Sequence, residues 1–116
     1  MKYLSMVRIN EKAGVPVTPK LMDDMGKLME ELTRSGKLVS TAGLRPTSEG
    51  VRVRQRNGKQ SMTDGPFVET KEHLGGFAVV DVPDDAAARY WAGRIAVAVG
   101  WPQEVHRFPH RALSAD

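Results

Sequence analysis

At 116 residues with 41% apolar side chains, the chain has the size of one domain and enough apolar material for one modest core. The absence of cysteine excludes disulfides, thiolate metal sites and cysteine nucleophiles, and a net charge of +3 is too mild to imply nucleic acid. No stretch approaches the roughly 20 apolar residues of a membrane span, and the opening segment is apolar for too short a run to be a secretory signal. A single soluble, cytoplasmic domain over residues 1–116 is therefore expected.

Residues 2–9 alternate as a strand, with Tyr3, Val7 and Ile9 on one face and Leu4 and Met6 on the other. After a loop from Gly14, Thr18-Pro19 supplies an N-cap and a proline at the first helical position, where its missing N–H is no loss. Leu21, Met25, Leu28 and Leu32 then recur at helical spacing, flanked by Met22 and Met29 and opposed by Asp23, Asp24, Lys27, Glu30 and Glu31. Gly36 ends this helix. Its methionines are predicted to fill the core rather than to form a soft-ligand site. Residues 38–44 form a second strand, and 51–56 and 59–63 flank Asn57-Gly58, the strongest short hairpin signal. Residues 76–82 are the next strand, closed by Pro83. Asp84 or Asp85 caps a second helix carrying Ala88, Trp91, Ala92, Ile95 and Val99, which Gly100 ends. Residues 104–108 are the last strand, and 109–116 make a polar tail expected to fray.

Strand, helix, strand, inserted hairpin, strand, helix, strand is the βαββαβ order of a ferredoxin-like α+β fold, an antiparallel sheet with both helices on one face. Phe77 and Val79 point one way while Ala78, Val80 and Val82 point the other, and the first strand is likewise apolar on both sides. An antiparallel sheet with an open face should be polar there. A second copy packed sheet against sheet is the expected cover, which predicts a homodimer.

Polar chemistry is concentrated at one place. Asp64-Gly65-Pro66-Phe67 is a stiff turn, because the residue before proline is pushed into extended conformations. Glu69, Lys71, Glu72 and His73 follow closely, and the segment closes on Gly75-Gly76 ahead of the apolar strand. The run Asp64-Gly65-Pro66-Phe67-Val68-Glu69-Thr70-Lys71-Glu72, with Leu74-Gly75-Gly76-Phe77, resembles the YCII-related family, in the branch named for its DGPF motif. The likeness extends over nearly the whole chain, including Met1-Lys2-Tyr3, the Gly43-Leu44-Arg45-Pro46 turn and the hairpin.

That resemblance implies the dimeric α+β barrel architecture. Functionally it implies a superfamily of small-molecule isomerases, dehydrochlorinases and monooxygenases, among which fold alone does not choose. Some relatives in this group pair a histidine on the first helix with an aspartate. The three histidines here are His73, His106 and His110, none of them on that helix, which argues against the His–Asp mechanism. DGPF-type proteins also accompany, or are fused to, extracytoplasmic-function sigma factors, so the resemblance admits a regulatory role and a sigma-factor association.

Asp64, on its stiff turn, has the makings of a general base or ligand acceptor, or of a carboxylate that bonds its own turn. If the following stretch forms a helical turn, Glu69 and His73 share a face, and the carboxylate raises the histidine's affinity for a proton. The alternative there is a solvated turn with weak ion pairs. Asp64, Lys71, Glu72 and His73 are thus the candidate catalytic residues. Phe67, which either anchors the turn or lines a pocket, and Glu69 are the candidate ligand contacts. His106 and His110 have the spacing of a helical metal pair, but strand and tail around Pro109 do not put them on one face, so no metal or other cofactor is expected.

Arg45, Arg52, Arg54, Arg56 and Lys59 make the hairpin region basic, yet no aromatic residue lies between 45 and 62 to stack on a base. A solvated face is expected in preference to nucleic-acid binding, with an acidic partner or an anionic ligand next. Two functional readings remain open. One is a cofactor-independent small-molecule enzyme of proton-transfer, isomerase or lyase type, with a cleft near the dimer interface. The other is a noncatalytic ligand-binding or regulatory module.

Overall fold

The Thr18 side chain accepts the Leu21 N–H at 3.1 Å, and with Pro19 behind it the first helix starts where the sequence places it. Asp84 does the same for the second helix by accepting from the Ala87 N–H at 2.9 Å, and Gly100, at φ 75°, closes it in the left-handed conformation that only glycine adopts freely. The computed structural model describes residues 1–10, 18–66 and 73–109. Its elements in chain order are β1 (Lys2–Ile9), α1 (Pro19–Arg34), β2 (Leu38–Gly43), a short 3-10 turn (Thr47–Glu49), β3 (Val51–Arg56), β4 (Lys59–Asp64), β5 (His73–Asp81), α2 (Asp85–Val99) and β6 (Gln103–Arg107).

Four strands form one sheet in the order β2-β5-β1-β6, every neighbouring pair antiparallel. This is the ferredoxin-like α+β arrangement. The β3–β4 hairpin is a separate two-stranded sheet inserted between β2 and β5. Asn57 at φ 54° and Gly58 at φ 77° give it the turn that the Asn-Gly pair predicts.

Alternation along β5 divides the sheet's two faces. Ala78, Val80 and Val82 join Tyr3, Leu28, Leu32, Ala88, Trp91 and Ile95 in the buried core, so both helices lie on that face. Phe77 and Val79 pair across with Met6 and Leu4, and all four are half-buried on the face that carries no helix among the described residues. The molecule is 19 Å through its shortest dimension, the depth of one helix layer on one sheet. No helix among the described residues is long and apolar enough to cross a membrane.

Four strands differ from expectation at their ends: β2 stops at Gly43 rather than 44, β4 at Asp64 rather than 63, β5 runs His73–Asp81 rather than 76–82, and β6 runs Gln103–Arg107 rather than 104–108. The Gly75-Gly76 pair reads as a break but lies inside β5, where Gly75 is an extra residue between the pairs Val7–Gly76 and Arg8–Leu74. Glycine suits such a bulge because a Cβ at 75 would come within 2.9 Å of the Ile9 side chain. The expected tail lies almost wholly outside the described residues, which end at Pro109.

The sheet and α2 are tied by a buried phenol. Tyr3 is 2% exposed, and its hydroxyl donates to Asp85 Oδ1 at 2.5 Å. That hydrogen bond, then burial, then the carboxylate's charge hold the phenol above its ordinary value of 10.0. Only the protonated phenol can donate, so this contribution to stability is complete below pH 10 and is lost as pH rises through the raised value. Tyr3→Phe should therefore flatten the alkaline limb of the stability profile. Urea titrations at pH 8 and at pH 11 check this, and an unchanged alkaline loss in the variant would assign the effect to another group.

Candidate functional site

Under the N-terminal half of α1 the sheet is paved with small residues. Thr41 and Gly43 of β2 and Gly76 and Ala78 of β5 are neighbours across the strands, and none carries the volume needed to reach the helix. Toward the other end, Val80 and Val82 meet Leu28 and Leu32, and the layers close. The result is a cavity of about 390 Å³. Leu21, Met22, Met25 and Met29 of α1 and Ile95 and Val99 of α2 roof it, while Val7, Ile9, Trp101 and Gln103 also line it. This is within the size range of small-molecule pockets. Met25 and Met29 pack against the core, as expected, and also border the cavity, whereas Met22 is 62% exposed.

No ionisable side chain is among the cavity's described lining residues. Thr41 donates its hydroxyl to the Phe77 carbonyl at 2.9 Å. Gln103 is held from behind by Ser5, a buried hydroxyl that donates to Gln103 Oε1 at 2.8 Å. Among the described residues, the Gln103 amide nitrogen has one long contact of 3.5 Å, to the Pro102 carbonyl, which leaves it a hydrogen-bond donor for the cavity beside the Trp101 indole that also lines it. A second, shallower groove of about 510 Å³ runs between the outer faces of the helices, past Asp24, Lys27, Glu31, Tyr90 and Arg94. Its charges are paired with neighbours: Lys27 with Asp23, Asp24 with Lys20, and Arg94 with Glu31. Hydrogen bonding to Arg94 holds the Glu31 carboxyl below its ordinary range.

The sequence candidates are distributed differently. Asp64 is the last residue of β4, paired across with Val51; it is exposed and does not line the cavity. His73 opens β5 opposite Ile9, which does line the cavity, and it is half-buried. His73 thus has strand geometry, not that of a helical turn. Phe67, Glu69, Lys71 and Glu72 lie outside the described residues.

Gly65 has a packing role. Its N–H donates to the Gly50 carbonyl at 2.9 Å, and a Cβ at this position would overlap the Thr47 carbonyl. The Gly65–Pro66 peptide bond is cis. His106 lies 3.4 Å from Glu104 on β6, and His110 is outside the described residues. Arg54 and Arg56 are exposed on the hairpin and Arg52 is half-buried. Gln103, Ser5 and Trp101 were not singled out from sequence. Their signal is a strand-neighbour relation, β1 beside β6, that no local window contains.

A four-stranded antiparallel sheet, two helices on one face and an apolar space between the layers define a small ferredoxin-like α+β domain with a cavity between its layers. Residues 1–100 match the YCII-related domain, and the chain belongs to the YCII-related family. An uncharacterized protein of Rhizobium meliloti (strain 1021) is 37% identical over 62 residues, which is 53% of this chain and 50% of that protein. The match thus spans about half the length of this curated relative.

Proposed function

We propose that this protein is a noncatalytic binding module for a small, largely apolar organic molecule carrying one hydrogen-bond acceptor, held in the cavity under α1. The observation that carries this reading is a cavity of about 390 Å³ with apolar and methionine walls, no ionisable lining among the described residues, and an oriented donor on Gln103. Methionine walls adapt to ligand shape, and a single oriented amide fixes its direction. We also assign the chain to the DGPF branch on its motif, and to a cytoplasmic homodimer whose sheets meet through Leu4, Met6, Phe77 and Val79. A regulatory role beside a sigma factor is compatible with a ligand-responsive module of this kind.

A second reading is favoured by the position of His73, paired with a residue that lines the cavity. On it, the protein is a cofactor-independent enzyme in which Asp64, Lys71, Glu72 and His73 move a proton on a ligand contacted by Phe67 and Glu69. Turnover that Asp64→Asn and His73→Gln both abolish would favour this enzyme; binding that neither variant alters favours the module.

A metabolite library screened by thermal shift tests the binding reading, since a ligand at 100 times its dissociation constant adds about 2.7 kcal/mol of stability. In a Trp91→Phe background, Trp101 at the cavity wall reports occupancy by its fluorescence. A Cβ at Gly43 meets nothing within 4 Å, so Gly43→Leu should fill the space, keep the fold and abolish the response. Gln103→Leu should weaken binding of ligands with a carbonyl by about 10-fold, the loss of one good hydrogen bond. A hit whose affinity both variants leave intact would place the site elsewhere.

A further inference from the structure

The β3–β4 hairpin has two unlike faces. Val51, Val53 and Met62 share one with Asp64, Gln55 and Gln60; Val53 lies directly opposite Met62, and the three apolar residues are 53, 55 and 69% exposed. Arg52, Arg54, Arg56 and Lys59 share the other, with Arg56 directly opposite Lys59. An isolated two-stranded hairpin is marginal in water, and like charges placed opposite each other weaken it further. This arm therefore has an apolar patch of Val51, Val53 and Met62 without cover among the described residues, and like charges opposed at Arg56 and Lys59 on its other face. The body of the domain has the reciprocal deficiency, because Leu4, Met6, Phe77 and Val79 form an apolar sheet face with no helix over it among the described residues.

We propose that the arm is part of a homodimer interface, laying its Val51, Val53 and Met62 face on a second copy of this chain. The proposal rests on the homodimer reading above and says which further element completes the contact. Area decides in its favour. Four strands at about 4.8 Å spacing and about 20 Å length give the open sheet face a footprint of roughly 400 Å². A standard stable interface needs about 800 Å² from each partner. The arm is about 20 Å by 10 Å, so it adds roughly 200 Å² on its own copy and covers a similar strip of the other. The arms bring a marginal sheet contact to the size of a stable one. Exposed Arg54, Arg56 and Lys59 are left pointing to solvent, where their charges are screened and keep the arm from pairing edge to edge.

Sedimentation velocity over a dilution series of the full chain tests this, with the double variant Val53→Glu/Met62→Glu on the apolar face and Arg54→Glu/Arg56→Glu on the basic face. The wild type and the basic-face variant should dimerise alike, while the apolar-face variant should raise the dimer dissociation constant at least about 100-fold and keep its circular dichroism. If the wild type is a dimer and the apolar-face variant dimerises equally well, the arm lies outside the interface while the dimer stands. If the wild type remains monomeric throughout, the dimer reading falls and the arm proposal with it. Amide hydrogen exchange of the wild type gives an answer that does not depend on any variant folding. Protection across 51–64 should be present in the dimer and lost on dilution. An arm that exchanges equally fast at all concentrations, or gains protection only with an added polyanion, overturns the proposal.

Discussion

Leu32→Ala is expected to lower stability by about 3–4 kcal/mol, whereas Met25→Ala, seven residues earlier on the same helix face, should lower it by only about 1 kcal/mol. Leu32 is 0% exposed and sits among Tyr3, Leu28, Val80, Val82 and Trp91, so truncating it leaves a void that rigid neighbours cannot fill. Met25 is half-buried and already borders empty space, so its removal enlarges a cavity rather than creating one. The two residues are two helical turns apart, and the contrast maps where the closed core ends and the open space begins. Urea titrations of both variants measure it. Equal losses would mean that the layers close over the cavity in solution, and the binding proposal would lose its site.

The helix ends and the hairpin were legible because their signals are local. Thr18-Pro19, Asp84, Gly100 and Asn57-Gly58 each act through hydrogen bonds or φ angles within four residues, and each does in the structure what its chemistry predicts. The strand order followed from the element order, and the two-sided apolar pattern of β5 is visible in the burial of Ala78 and Val80 against half-buried Phe77 and Val79. Gly75-Gly76 misled for a local reason too: paired glycines read as punctuation, while here the strand's neighbours demand their smallness.

The cavity was not legible because it belongs to no single segment. Its floor exists only because Gly43 of β2 lies beside Gly76 of β5, residues far apart in sequence, and its roof is shared by one helix preceding both and one following both. The same helix face that packs at Leu28 and Leu32 stands off at Leu21 and Met22, and helical periodicity is identical in the two halves. Gln103 reads as an ordinary polar strand residue until its pairing with β1 places it beside buried Ser5. Clusters of ionisable residues draw attention in a sequence, whereas a site built from missing side chains leaves almost no mark.

Gly65→Ala separates architecture from chemistry within the motif. It is expected to destabilise the base of the hairpin by about 2–3 kcal/mol, toward the upper end for overpacking, because the added Cβ meets backbone rather than a side chain that can turn away. The Thr47 carbonyl is fixed by its own turn, accepting the Gly50 N–H at 2.9 Å, and the Gly50 carbonyl in turn accepts the Gly65 N–H at 2.9 Å. A methyl group at 65 must therefore break this closure or displace the 3-10 turn. Faster amide exchange at Gly50 and Gly65, with lost protection along the arm, would record the first outcome. Asp64→Asn should change stability by no more than about 0.5 kcal/mol, since its side chain is exposed at a strand end. The motif's glycine would then hold the arm to the body, and the sequence beside it would be kept in place by that joint. The opposite pattern, an innocuous Gly65→Ala and an Asp64→Asn that abolishes ligand binding or turnover, would return the motif to chemistry and favour the enzyme.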